Sequence, residues 1–196
     1  MKNKAFPFCK SGWQLDMMPA GYLMIEHRLI ERMVRLMVQE LSRMRKHNKA
    51  SVAFLDKAVD FIRVYADECH HGKEEDILFY AMNKKKLAPK HRKMMDQLVK
   101  EHVLGRKSVQ RLVKARELYA QGNPRALKEI KKQVKWLIEF YPKHIAKEDK
   151  GFFIPCMSYF NKRQQENMLL DFCRADGPNI QKNYREAVAK MEQQYK

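Results

Sequence analysis

Four histidines and two glutamates stand in a pattern that is written twice along the chain. Glu26-His27 is followed 43 residues later by His70 and then Glu74; Glu101-His102 is followed 42 residues later by His144 and then Glu148. The stretches after each second histidine match as well, His70-His71-Gly72-Lys73-Glu74-Glu75 against His144-Ile145-Ala146-Lys147-Glu148-Asp149, and both run on into Phe79 and Phe153. In a helix, His-x-x-x-Glu places both side chains on one face a turn apart. Two carboxylates and four imidazoles at one level of an apolar interior would be costly if nothing balanced them. A pair of metal ions resolves this, with neutral imidazoles donating nitrogen and the glutamates bridging. A set with no thiolate suits iron or manganese better than a closed structural zinc site. The candidate metal ligands are therefore His27, His70, Glu74, His102, His144 and Glu148.

Between the neighbours His70 and His71, periodicity favours His70 as the inward one. It continues the stripe of Val59, Ile62 and Ala66, whereas His71 has Asp67, Glu68 and Glu75 around it and reads as solvated. Glu68 with His71 makes a single Glu-x-x-His, a pattern that another class of di-iron bundle uses in pairs; without a second copy it is read as chance. His47 and His91, among basic residues near helix ends, read as surface. Tyr65 and Tyr141 read as packing, and Gly105, three residues after His102, leaves room for close helix approach or a small ligand. Glu26 and Glu101 could orient imidazoles from outside the ligand set.

These side chains need long helices to carry them, and breaker residues mark out four. Pro19 opens the first, which runs to about Arg45; Ser51 caps a second to about Met82; Pro89 opens a third to about Ala120; Pro124 starts a fourth to about Phe153. Pro155 interrupts. Asn161 with Gln164 then forms a capping-box pattern before a short helix to about Phe172, and a last helix occupies about 179–194 after the Asp176-Gly177-Pro178 turn. Apolar residues recur at steps of three and four in each long helix, broken by titratable residues near one level. The fold class expected is all-α, an up-down four-helix bundle with additional short C-terminal helices. The division is an N-terminal segment 1–17, a bundle 18–155 and an extension 156–196 packed on it.

Composition agrees: of 196 residues only seven are Gly and seven Pro, while 45% are hydrophobic. The net charge of +17 raises nucleic acid as a partner, yet the basic residues are spread over every segment and read as solvated helix faces. Nucleic acid is not expected as a partner. No apolar run is long enough for a membrane span, and no secretion signal is read at the N-terminus. The four cysteines, at 9, 69, 156 and 173, form no CxxC pair. Reduced thiols and a cytoplasmic location are the expectation.

The stretches Met24-Ile25-Glu26-His27-Arg28-Leu29-Ile30-Glu31, His70 to Phe79, Lys100-Glu101-His102 and His144 to Asp149 resemble the hemerythrin-like, or HHE cation-binding, family. The similarity spans about residues 18–155. It implies a four-helix bundle with a non-haem di-iron centre, two iron ions with an oxo or hydroxo bridge, and carries the six ligands over residue by residue. Oxygen carriers of that family use a fifth histidine four residues past the one on the third helix, where this chain has Arg106. Their last carboxylate would fall on Asp149 rather than Glu148. The symmetric four-histidine set is more similar to bacterial iron-sulfur-cluster repair proteins, whose cysteine-bearing N-terminal domain is not expected here, Cys9 standing alone in the first residues. The expected function is binding or sensing of a small ligand (oxygen, nitric oxide or peroxide), with oxidoreductase activity as an extension. The alternatives are iron storage or donation in stress repair and, from another class, a basic bundle that binds nucleic acid or a protein partner.

Overall fold

The computed structural model describes residues 17–195, which form six helices and no strand. The first, α1, spans Pro19–His47, with proline in its opening turn and the left-handed Asn48 (φ 48°) ending it. Its 29 residues make a rod of roughly 44 Å at ~1.5 Å per residue. The second, α2, runs over 52–83; its N-terminus is capped by the Ser51 hydroxyl, which accepts from the Phe54 amide at 3.2 Å. Pro89–Ala120 forms α3, and α4 begins at Ala126, two residues later than expected because Pro124 and Arg125 lie in a turn. It continues through Pro142 to Cys156, so Pro155 sits within its last turn rather than interrupting. The appended helices are α5 (Lys162–Asp176) and α6 (Ile180–Gln193). The capping box at the start of α5 is present: the Gln164 amide donates to Asn161 Oδ1 at 3.0 Å, and the Asn161 amide to Gln164 Oε1 at 3.1 Å. This helix extends four residues beyond Phe172 before Gly177 ends it.

Two helix segments depart from regular α winding, and the stretches that follow the repeated histidines, 73–79 and 148–152, occupy matching places in the sequence repeat. Residues 61–79 of α2, with a break at Gly72, and Glu148–Phe152 of α4 are wound as π-helix. There the Gly72, Tyr80 and Phe153 amides reach carbonyls five residues back, on Asp67, Glu75 and Glu148. Such wide turns are uncommon, and they recur at functional sites.

Buried apolar residues gather in two clusters whose order along the chain fixes the topology. One contains Leu36, Met44, Leu55, Phe61, Leu112, Ile130 and Leu137; the other contains Leu23, Leu78, Met82, Leu98, Phe152, Phe153 and Phe172. Going along α1 the chain meets the second cluster and then the first; along α2 the order reverses, along α3 it reverses again, and along α4 once more. The four long helices therefore run up, down, up and down. Each fully buried Leu or Ile contributes about 1.5–3 kcal/mol. Between the clusters, every long helix places its histidines, so one polar layer separates two apolar blocks. Helices α5 and α6 pack against α1 and α2, and α5 adds Met168, Leu169 and Phe172 to the second cluster.

No helix is long and apolar enough to cross a membrane among the described residues. Cys69 and Cys156 are buried free thiols, while Cys173 is disulfide-bonded, against the reduced state expected of all four; Cys9 and the rest of 1–16 lie outside the described residues.

Candidate metal centre

All six side chains singled out by the repeat lie in the polar layer, each 1% exposed or less. Glu74 spans two helix pairs: its Oε1 is 3.1 Å from His70 Nε2 and its Oε2 is 3.3 Å from His102 Nε2. Glu148 does the same from α4, with Oε2 3.3 Å from His27 Nε2 and Oε1 3.2 Å from His144 Nε2. Separations near 3 Å are those of neighbouring donors around one cation about 2.1 Å away. The donor atoms of His27, His70, Glu74 and Glu148 lie within 4.8 Å of one another, and so do those of His71, Glu74, His102 and His144. Glu74 belongs to both groups.

Every imidazole is held from behind by a carboxylate. His27 Nδ1 donates to Asp149 at 2.6 Å, His70 Nδ1 to Glu26 at 2.8 Å, His102 Nδ1 to Glu75 at 2.7 Å and His144 Nδ1 to Glu101 at 2.9 Å. A carboxylate can only accept when ionised, so the proton sits on Nδ1 and the Nε2 lone pair faces the layer. This is the outer arrangement that orients metal-bound histidines. Glu26 and Glu101 do what their place beside His27 and His102 suggested; Glu75 and Asp149, each one residue past an inner glutamate, had not been assigned this part.

The inward atoms are poorly served by protein alone. His27 Nε2, His70 Nε2 and all four carboxylate oxygens of Glu74 and Glu148 are buried without a hydrogen-bond partner. The Nε2 atoms of His102 and His144 face each other at 3.2 Å, lone pair towards lone pair in the tautomers set by Glu75 and Glu101. Buried polar atoms left like this call for an ion or a proton. In the protein alone protons supply the balance. Burial disfavours a charged His70, yet Glu74 and Glu26 outweigh it and push the pKa up to about 10. His102 is likewise raised against burial, to about 11, by Glu148, Glu74 and Glu75. Burial and the neighbouring Glu74 act to raise Glu148, but His144, His102 and His27 hold it at about 2. The carboxylates of this layer thus hold positive charge on His70 and His102.

The structure corrects the reading of His71. It is 3% exposed rather than solvated, its ring stacks on His102 at 3.9 Å between centroids, and its Nδ1 bonds Asp67 at 3.1 Å. Regular α periodicity turns His71 away when His70 points in; the π winding of 61–71 brings both inside. Alternation of apolar and polar residues carries no signal for such a change of pitch. His71 also reaches a cleft of about 470 Å³ between α2 and α3, lined by Ile62, Gly105, Arg106, Val109 and Tyr141 among others. Gly105 borders that cleft, and a Cβ there would meet only the Phe140 ring at 3.6 Å. Of the two histidines expected at the surface, His47 is exposed, whereas His91 is half-buried and tied to Tyr159 at 2.8 Å.

A helical bundle with a buried layer of imidazoles and carboxylates has the architecture of a cation-binding domain. The hemerythrin HHE cation binding domain matches residues 18–154, and the chain belongs to that family. Comparison with curated proteins and with solved structures gives no match.

Proposed function

We propose that the chain is a non-haem di-iron protein that binds or senses a small ligand, oxygen, nitric oxide or peroxide, at a carboxylate-bridged site. The observation that carries this reading is the convergence of orphaned buried atoms: two imidazole nitrogens and four carboxylate oxygens aimed at one layer. The donor chemistry fits iron. His27, His70, His102 and His144 would hold the ions by Nε2, and Glu74 and Glu148, each reaching histidines from two helix pairs, would bridge them. When bound, the ions supply a Lewis acid and exchangeable electrons to a small ligand. The protein's own part is positional: four outer carboxylates fix the imidazole tautomers, and Phe79, Phe152 and Phe153 close the layer from one side and keep it dry. A dry surround strengthens each electrostatic contact inside it.

Iron analysis after anaerobic loading tests the reading. Wild type should carry two irons per chain, falling to one or none in His102→Ala and Glu148→Ala. A wild type that stays iron-free, or a Glu148→Ala protein that keeps both ions, would refute the metal assignment. A loaded protein whose absorption spectrum is unmoved by azide, nitric oxide or peroxide would refute the small-ligand part alone.

A further inference from the structure

We propose that His71 is a fifth imidazole ligand, so that the two cation positions have unequal donor sets: His71, His102 and His144 at one, His27 and His70 at the other, with Glu74 and Glu148 shared between them. This inference deepens the di-iron reading and rests on it.

Four independent features place His71 with the ligands rather than with the packing. First, its donor atom lies within 4.8 Å of donor atoms of Glu74, His102 and His144, a cluster as tight as the one around His27 and His70. Second, its Nδ1 is bonded to a carboxylate, Asp67, at 3.1 Å, the same dressing that the other four imidazoles carry at 2.6–2.9 Å. With Nδ1–H committed outward, Nε2 is the atom left for a cation. Third, one guanidinium braces His71 and His102 together: Arg106 Nε donates to Asp67 at 2.8 Å and Arg106 Nη2 to Glu75 at 2.7 Å. The two stacked rings, 12° from parallel, are thereby locked from behind as a unit. Fourth, the backbone departs from α winding over the segment that carries His70 and His71 and so faces both inward. A helix interior gives up regular hydrogen bonding there, and a purely apolar neighbour could have packed on His102 without it.

Packing alone makes a different prediction, and His71→Phe separates the two. Phenylalanine keeps the stacked ring and removes the nitrogen. In wild type loaded with cobalt(II), each ligated imidazole contributes one strongly shifted, exchangeable N–H proton resonance from its Nδ1. Five such resonances are expected, and His71→Phe should show four. The variant should also release one of its two cobalt ions to a chelator at least tenfold faster than wild type, while the other leaves at the wild-type rate. Four resonances in wild type, or unchanged release in His71→Phe, overturns the inference while the di-metal reading stands. A wild type that takes up no metal overturns both. Should His71→Phe fail to fold, His71→Gln is read the same way, and the wild-type resonance count decides by itself.

Discussion

The two halves of the bundle repeat the same inner geometry under different covers. Within each half a glutamate on the first helix holds the histidine on the second: Glu26 holds His70, and Glu101 holds His144. Between halves the exchange is reciprocal, Glu75 holding His102 and Asp149 holding His27. The lysine one residue before each inner glutamate then pairs with the outer glutamate of its own half, Lys73 with Glu26 and Lys147 with Glu101. There the likeness ends. Glu26 lies under α5 and α6, where Lys73 is also paired with Asp176, and Gln181 donates to both Glu26 and Asp176. Tyr22 and Tyr65 close this network through Asp176 and Gln181. Among the described residues Glu101 has no such lid; its side chain is 14% exposed and that of Lys147 33%. The appended helices convert a water-screened ion pair into a sealed one. Sealing requires every charge to be matched, because an uncompensated buried ion is strongly destabilising.

The largest expected effect follows from that requirement. Asp176→Ala removes one of the two carboxylates paired with the fully buried Lys73 Nζ and takes away one of the two acceptors of Gln181. Urea unfolding of the metal-free protein should show a loss of about 3–5 kcal/mol. A loss under about 1 kcal/mol would mean that the sealed network contributes no more than its exposed counterpart, and the contrast between halves would fail.

Next comes the grip on the cations. Glu26→Gln and Glu101→Gln each replace the carboxylate behind one histidine, and outer-shell changes of this kind typically weaken metal binding about 10–100-fold. Glu26→Gln should fall near the top of that range, since His70 and Glu26 are both fully buried. Glu101→Gln should fall near the bottom. Chelator competition with zinc as probe ranks them, and the reverse order would show that the cover does not tighten the site.

Much of this arrangement was legible in the sequence, and the parts that were not share a cause. Pro19, Ser51, Pro89 and the Asn161–Gln164 box act through local backbone chemistry, so they marked helix starts to within a residue or so. The duplication of Glu-His and His-x-x-x-Glu was enough to place six side chains in one layer. His71 escaped because a pitch change is a tertiary accommodation: the residues from 61 to 71 are ordinary helix formers, and they are wound as π-helix where they pack against α1, α3 and α6. Lys73 escaped for a related reason. Its type and its neighbours Glu74 and Glu75 describe a solvated face, and it is buried only because α5 ends with Asp176 above it. Both misses lie where elements distant in sequence meet.

Gly177 gives a smaller test of the lid. Its φ of 61° and ψ of −175° lie in a region that side-chain-bearing residues essentially do not occupy. Gly177→Ala should lower stability by about 1–3 kcal/mol and, by displacing the adjacent Asp176, speed zinc release from the His27–His70 side. Stability lost with unchanged release would confine the lid's role to folding.

The smallest effect belongs to the open half and completes the contrast. Lys147 and Glu101 form an ion pair with partly exposed side chains, and such pairs contribute about 0–1 kcal/mol. Glu101 keeps His144 Nδ1 and the Gln97 amide as donors when the lysine is lost. Lys147→Met should therefore shift the unfolding free energy by less than about 1 kcal/mol, and the shift should shrink further in high salt because water and ions screen the pair. Lys73→Met, at the matching place of the repeat, leaves Glu26 and Asp176 facing each other without their common cation and should lose several-fold more, with little dependence on salt. Equal losses for the two lysines would mean that burial beneath α5 and α6 adds nothing to the pairing, and the two halves would then differ in shape alone.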